Sequence, residues 1–162
     1  MNGLLGRAIL AFLVLPGTVA FLIPWLLLQS GHPVDALGLI PFMPGILLLL
    51  WCVRDFYVAG KGTLAPWSPP RHLVVTGLYR LSRNPMYIAV VSVLWGWALG
   101  FHSRAIAVYA LVVMVVFHLR VVLGEEPWLA RAHGEEWARY KAHVPRWFGL
   151  PRKIDSRTRG AG

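Results

Sequence analysis

Four long apolar stretches divide the sequence, each close to the length that a helix needs to cross a lipid bilayer. They cover approximately residues 8–28, 36–53, 86–101 and 105–123. A bilayer core of about 30 Å needs roughly 20 apolar residues in a helix that rises about 1.5 Å per residue. Hydrophobic residues make up 57% of the chain, which excludes a disordered chain, and charged residues make up only 14%, which disfavours a soluble globule. The sequence therefore predicts an all-α, integral-membrane helical bundle of about four transmembrane helices, in one domain over residues 1–162.

Prolines occur in the first two stretches, at Pro16 and Pro24 and at Pro41 and Pro44. They would break a helix in water, but membrane helices tolerate proline when they pack against neighbours. The first apolar run is too long for a cleavable signal peptide, and no small-residue cleavage site follows it. We therefore expect it to remain as a transmembrane helix.

The basic residues are distributed unequally between the two sides of the predicted bundle. Of the 16 Lys and Arg residues, all but Arg104 lie on the side shared by the N-terminus, the loop of residues 54–85 and the C-terminal segment of residues 124–162. The positive-inside rule places that side in the cytoplasm. We therefore expect a multi-pass protein with cytoplasmic N- and C-termini, and the small, Arg-, Ala-, Gly- and Trp-rich chain is typical of a bacterial inner membrane.

The formal net charge of +9 is explained by this sidedness and by anionic lipid at the cytosolic face. The lipid bilayer is therefore an expected partner and nucleic acid is not. Cys52 is the only cysteine, which excludes an intramolecular disulfide and a cysteine metal cluster.

The segment RNPMY precedes the third stretch. Asn84 suits the N-cap of a helix and Pro85 suits its first position, so Arg83 and Tyr87 are expected at a helix N-terminus on the cytosolic boundary. The free N–H groups and the helix dipole there favour an anion, such as a ligand carboxylate or phosphate. The alternative is an interface anchor, because Arg and Tyr are common at a membrane border without a ligand.

A second group of polar residues begins just after the fourth stretch, with Glu125, Glu126 and Pro127. Apolar residues then recur at spacings of three and four, which predicts an amphipathic C-terminal cytosolic helix along the interface; these are Leu129, Ala132, His133, Trp137, Tyr140 and Val144. The two glutamates either cap this helix or hold a hydroxyl, an amine or an arginine near the membrane, where an unpaired carboxylate is costly.

Two polar residues lie in the inner half of the fourth stretch, His118 and Arg120. Arg120 is expected to extend its charge to the interface. His118 lies deeper, and both a packed, hydrogen-bonded histidine and a catalytic one fit its position.

Together these segments resemble a known family. A Pro-rich loop leads to GLYRLSRNPMY and a membrane helix, and a hairpin, EE and L-x-x-x-x-G-E-E-W-x-x-Y-K-x-x-V-P follow. This order, over about residues 60–146, resembles the membrane methyltransferases of the isoprenylcysteine carboxyl methyltransferase and phospholipid methyltransferase superfamily. The chain departs from many members at Asn84, where they have His, and at His133 and Trp137, where Phe and Tyr are usual; the departures put the substrate in doubt rather than the cofactor pocket.

The resemblance implies methyl transfer from S-adenosylmethionine, with S-adenosylhomocysteine as product, to a lipophilic small-molecule or prenylated acceptor at the cytosolic face. The expected reaction is carboxyl O-methylation, with phospholipid N-methylation and thiol S-methylation as alternatives. It implies catalytic roles for Arg83, Glu125 and Glu126. The implied cofactor-binding residues are Gly77, Tyr79, Arg83, Asn84, Pro85, Tyr87, Glu125, Glu126, Leu129, Trp137 and Tyr140.

Two other functions are compatible with four membrane helices. One is a sterol-type reductase that uses NADPH, although such chains are longer. The other is a non-enzymatic transporter or scaffold subunit, which the absence of an acidic residue in the middle of any predicted span disfavours. The oligomeric state stays open, although Gly96 and Gly100 have the spacing of a close transmembrane interface.

Overall fold

The computed structural model describes residues 13–28, 34–59, 73 and 75–149, and within these ranges it contains helices and no strands. The all-α prediction is confirmed for this part of the chain. Predictions about residues 1–12, 29–33, 60–72, 74 and 150–162 lie outside it. The helices are α1 (Leu13–Leu22, with the wide π geometry), α2 (Ile23–Leu27), α3 (Leu39–Ala59), α4 (Pro85–Gly100), α5 (Arg104–Arg120) and α6 (Glu126–His143). Short 3₁₀ turns lie at Ala36–Gly38 and Gly77–Arg80, and a π turn lies at Val121–Glu125.

Helix α4 forms the centre of the bundle, packed between α3 and α5 and also touching α1. Apolar residues from these four helices form the main core: Ala20, Leu49, Ala89, Val90, Val93, Leu94, Ala110 and Val113. Half of these core residues belong to α4, so this helix is the one against which the others pack.

Helices α3 and α4 approach each other closely because glycines line their contact. A Cβ added to Gly96 would lie 2.5 Å from Cβ of Phe42, and one added to Gly45 would lie 2.9 Å from the side chain of Val93. Such small residues let helix backbones come together in a bilayer, where packing replaces the hydrophobic effect. The close contacts of Gly96 and Gly100 are therefore made within the same chain, with α3 at Phe42 and with the preceding 3₁₀ turn at Gly38.

This packing predicts that Gly96→Ala lowers the thermal stability of the detergent-purified protein. An inserted methyl in a tightly packed contact costs about 1–3 kcal/mol. Gly100→Ala is the matched control, because its added Cβ would lie 3.6 Å from its nearest neighbours, an ordinary contact. Equal unfolding midpoints for the two variants would contradict the proposed close packing.

Two described helices are long and apolar enough to cross a membrane, Ala36–Asp55 and Arg104–His143, where four were expected. Only 22% of the residues in the apolar window of each are buried, so these helices expose their apolar side chains, unlike the core helix of a soluble protein. The apolar helices Pro16–Leu27 and Pro85–Gly100 are shorter. With 16 residues, α4 is about 24 Å long, because Pro85 starts it and the turn after Gly100 ends it.

The C-terminal helix continues α5 and does not begin as a separate element. The N–H of Glu126 donates to the C=O of Val121, five residues back, and Pro127 has no N–H with which to continue the regular pattern. The π turn absorbs this interruption. Of the residues in α6 only Glu126 and Trp137 are buried, and the predicted amphipathic helix along the interface is not confirmed.

Helix α6 bends sharply at Gly134, whose φ of 47° and ψ of −117° are not helical. An unbroken helix of 18 residues would carry its end about 26 Å away from Glu126. The bend instead returns the following segment, residues 135–148, to the start of α4. We call this segment the C-terminal arm.

Candidate functional site

The polar residues singled out in the sequence meet at the end of the bundle where α3 ends, α4 begins and α5 ends. Pro85 is the first residue of α4, as predicted, and Asn84 occupies the N-cap position. The side chain of Asn84 does not cap the helix, however. Its amide donates to the backbone C=O of Arg146 at 3.0 Å, so the residue attaches the C-terminal arm to α4.

Glu126 lies between two arginines. Its Oε1 accepts from Nη1 of Arg83 at 2.9 Å and from Nε of Arg146 at 2.7 Å, and its Oε2 accepts from Nη2 of Arg146 at 2.8 Å. The Arg83 and Glu126 side chains are each only 9% exposed. Geometry of this kind, with two parallel bonds from one guanidinium, gives the strongest hydrogen bonds between charged side chains. Glu126 therefore joins the start of α4 to the C-terminal arm.

Burial and the arginines act in opposite directions on the carboxyl of Glu126. Burial raises its pKa, but the hydrogen bond from Arg146 and the charges of Arg83 and Arg146 outweigh burial, so the pKa is lowered from its ordinary value of 4.5. Burial also lowers the pKa of Arg83, an effect that the Glu126 charge opposes. The carboxylate is accordingly ionised at neutral pH and acts as a fixed negative charge between two fixed positive ones.

The guanidinium of Arg83 also contacts an aromatic ring. Its central carbon lies 5.4 Å from the centroid of the Trp137 ring, within the range of a cation–π interaction. The Nε of Arg83 is buried and has no hydrogen-bond partner among the described residues. Because an unpaired buried donor is costly, this nitrogen is suited to an acceptor supplied by a ligand.

Glu125 belongs to a separate cluster. Its Oε1 accepts from the Tyr87 hydroxyl and, at 2.9 Å, from Nε of Arg120. The Tyr87 ring lies 4.4 Å from that of Phe117. Arg120 is 50% exposed, so this cluster extends from the start of α4 to the outer surface of α5. The two adjacent glutamates therefore hold different partners, and neither side chain caps α6.

The C-terminal arm is attached to residues 79–84 by further hydrogen bonds. The Tyr140 hydroxyl donates to the C=O of Tyr79 at 2.7 Å, and the N–H of Arg83 donates to the C=O of Pro145 at 2.9 Å. Ser82 Oγ donates to the C=O of Arg146 at 3.2 Å. These bonds form only because the bend at Gly134 reverses the chain, which gives the glycine of the trailing motif a physical role.

The structure brings most of the predicted site residues together. Arg83, Glu126 and Trp137 share one cluster, Tyr87 and Glu125 share the other, and Tyr79 meets Tyr140. Asn84 and Pro85 lie at the start of α4, and the other two predicted residues lie outside both clusters. Gly77 lies against Asp55, and Leu129 is half-buried on α6.

His118 is exposed, and its Nδ1 accepts from Nε1 of Trp147 at 3.3 Å. This contact agrees with the hydrogen-bonded alternative for His118, and it binds the arm to α5.

Sequence reasoning missed the contact of Arg146 with Glu126 and the contact of Asp55 with the turn Gly77–Arg80. Arg146 directly follows the V-P of the trailing motif, and in the sequence it is marked only as one of the basic residues of the C-terminal segment. Asp55 stands out in the sequence only as an acidic residue just after the second apolar stretch. Arg146 could have been found from its position directly after a matched motif. The contact of Asp55 could not, because it depends on a turn that begins 22 residues later in the chain.

Comparison with known proteins gives a family. The family model described as phospholipid methyltransferase matches residues 34–136, more than half of the chain. The match includes α3, α4, α5 and the glutamate pair, and it ends just before Trp137. No curated protein and no solved structure matches the chain.

Proposed function

Since the chain belongs to the phospholipid methyltransferase family of membrane methyltransferases, we propose that it transfers a methyl group from S-adenosylmethionine to a lipophilic acceptor at the cytosolic face of the membrane. The family supports methyl transfer and a lipid acceptor. The donor, the acceptor group and the site residues are proposals argued from the geometry.

The observation that carries the proposal is the Glu126 cluster, in which the buried Nε–H of Arg83 is a hydrogen-bond donor with no partner among the described residues. S-adenosylmethionine bears an amino group, a carboxylate, ribose hydroxyls and a sulfonium, and when bound it supplies an activated methyl. This nitrogen of Arg83 is suited to bind the carboxylate of S-adenosylmethionine. The faces of Trp137 and Tyr140, whose rings lie 5.7 Å apart, suit the adenine and the cation.

The protein's own contribution is positioning. Methyl transfer is an in-line displacement, so catalysis needs donor and acceptor aligned and water excluded. Near the start of α4, Arg83 and Glu126 hold each other by a hydrogen bond and Tyr87 holds Glu125, and the C-terminal arm contacts Glu126 through Arg146. We propose that Arg83, Glu125 and Glu126 orient the reacting molecules, and that Asn84 and Tyr87 complete the donor site.

Charge favours a carboxylate as the acceptor. Glu126 accepts hydrogen bonds from Arg83 and Arg146, which lower the pKa of its carboxyl, so it is held as an anion and is poorly suited to deprotonate an amine. Three arginines, Arg83, Arg120 and Arg146, face two glutamates, which leaves a positive excess. A carboxylate needs no base and is attracted by that excess, so we propose carboxyl O-methylation of an isoprenylcysteine-like lipid acid.

Phospholipid N-methylation is the second candidate, and the description of the matched family favours it. That reaction requires the acceptor amine to be neutral when it attacks. The two candidates give chemically different products, a methyl ester or an N-methylated amine, which an assay can separate. Thiol S-methylation remains a third member of the same class of reaction.

We also propose that the four apolar segments cross the membrane with both termini in the cytoplasm. The charge distribution of the sequence supports this orientation. Helix α4 is short for a membrane span. This length is compatible with the proposed topology because α4 packs between α3 and α5, so it does not have to span the lipid core by itself.

The proposal predicts that the detergent-purified protein binds S-adenosylhomocysteine and that Arg83→Ala and Glu125→Ala each weaken binding about ten- to a hundredfold, because each removes a charged hydrogen-bonding partner. Isothermal titration calorimetry measures this directly. Arg131→Ala, on the exposed side of α6, is the control and should bind like the wild type. No binding to the wild-type protein at millimolar ligand, or unchanged affinity in both variants, would contradict the assignment.

A further inference from the structure

Asp55 is a buried carboxylate outside every motif that points to the site. It lies at the end of the first long apolar helix, only 7% exposed, under the 3₁₀ turn Gly77–Arg80. Its Oδ2 accepts from the backbone N–H of Leu78 at 3.4 Å. Among the described residues it forms an ion pair with Arg54, which is 72% exposed and has its Nη1 3.7 Å from Oδ1, and so exposed a pair contributes little. The main described contact of Asp55 is therefore with the turn.

The turn is shaped to receive this carboxylate. A Cβ on Gly77 would lie 2.0 Å from Oδ2 of Asp55, and Gly77 has a φ of +57°, so both space and backbone conformation require glycine. Thr76 occupies the N-cap position of the turn, but its side chain makes no capping hydrogen bond. Asp55 thus supplies from α3 the acceptor that a local cap would otherwise provide.

The same turn is the surface onto which the C-terminal arm closes. The C=O of Tyr79 accepts from the Tyr140 hydroxyl. Three residues beyond the turn, the N–H of Arg83 donates to the arm at Pro145. A change in the position of the turn is therefore transmitted to the arm and to the cluster around Arg83.

We propose that Asp55 is a positioning residue of the donor site: by capping the turn Gly77–Arg80 from α3, it holds the surface on which the C-terminal arm closes over Arg83. It touches neither reactant and acts through the turn. The inference rests on the proposed function, because the donor is the ligand whose binding it controls.

The test compares three aspartate variants by S-adenosylhomocysteine titration and by methyl-transfer kinetics. Asp55→Ala removes the acceptor and should weaken binding about tenfold, the value of one hydrogen bond to a charged group. It should raise KM for S-adenosylmethionine by a similar factor while kcat at saturation changes less than about twofold, since the reacting groups are untouched. Asp55→Asn keeps an acceptor oxygen and should restore most of the affinity.

Asp35→Ala is the matched control. Asp35 Oδ1 accepts from the N–H of Leu37 at 2.8 Å and caps the 3₁₀ turn Ala36–Gly38 at the opposite end of the bundle. Its loss should leave the affinity for S-adenosylhomocysteine unchanged. Wild-type affinity in Asp55→Ala, a loss in Asp55→Asn equal to that in Asp55→Ala, or an equal loss in Asp35→Ala would each overturn the inference.

Gly77→Ala serves if Asp55→Ala does not fold. The added methyl would push the turn away from Asp55, and the variant should show the same rise in KM without a comparable fall in kcat; an unchanged KM would overturn the inference. A wild-type protein that binds no S-adenosylhomocysteine would instead defeat the proposed function, so the two failures are distinguishable.

Discussion

Replacing Glu126 with glutamine is expected to reduce affinity for S-adenosylhomocysteine more than a hundredfold and to lower stability by about 3–5 kcal/mol, the cost of breaking a buried ion pair. The substitution leaves Arg83 and Arg146 facing each other without the carboxylate that joins them. Arg83 is 9% exposed at its side chain, so its charge cannot be compensated by water. Titration calorimetry and thermal unfolding measure the two effects.

Glu135→Gln is the control for this prediction, because Glu135 is exposed on α6 and should tolerate the change. The pH dependence of the protein's stability should have the sign expected for a carboxyl group whose pKa is lowered by folding. The pKa of Glu126 is lowered in the folded protein from 4.5, so the stability contributed by its carboxylate is present above that pH and is lost as the pH falls below it. A Glu126→Gln protein with wild-type affinity and unfolding midpoint would show that the carboxylate does not join α4 to the arm.

Replacing Gly134 with alanine is expected to reduce methyl transfer by roughly two orders of magnitude. The backbone conformation at Gly134 costs an alanine about 1–3 kcal/mol. Alanine also favours the straight helix by about 1 kcal/mol. Nothing lies within 4 Å of an added Cβ, so the effect would come from the backbone and not from a clash. The arm, with Trp137 and Tyr140, would leave the site.

Gly124→Ala controls for the loss of a glycine as such, because its added Cβ also meets nothing within 4 Å and its place in the π turn does not reverse the chain. This variant should keep at least half of the activity. The fluorescence of the tryptophans in the arm should change in Gly134→Ala, whereas the helical content should not fall. Full activity in Gly134→Ala would show that closure of the arm is not required.

The helices and one end of the site were predictable from local signals in the sequence. Pro85 has no N–H and a fixed φ, and it begins α4 where the sequence places it. The apolar stretches coincide closely with α3, α4 and α5 because a long run of apolar residues is itself a strong helix signal. The proximity of Arg83 to the glutamate pair was also predictable, because both belong to motifs whose order along the chain resembles that of a known family.

The contacts made by the C-terminal arm were not predictable in the same way. Arg146 reaches Glu126 only because Gly134 adopts a positive φ. No local sequence pattern predicts the direction of the chain after this bend. The side chain of Asn84 had two possible uses, a local cap or a distant carbonyl, and the position of the arm decides between them. The two glutamates are adjacent in sequence, yet the helix directs their side chains to different partners.

Transfer of a labelled methyl group to a lipid tests the central claim most directly. Wild-type protein in detergent, supplied with labelled S-adenosylmethionine and with either a prenylcysteine analogue or a phosphatidylethanolamine, should place label in the organic phase, and Glu126→Gln should not. We expect the prenylcysteine product to release its label as methanol in mild base, as a methyl ester does. Base-stable label on the phospholipid would favour N-methylation, and no transfer above the Glu126→Gln background to either lipid would contradict the account.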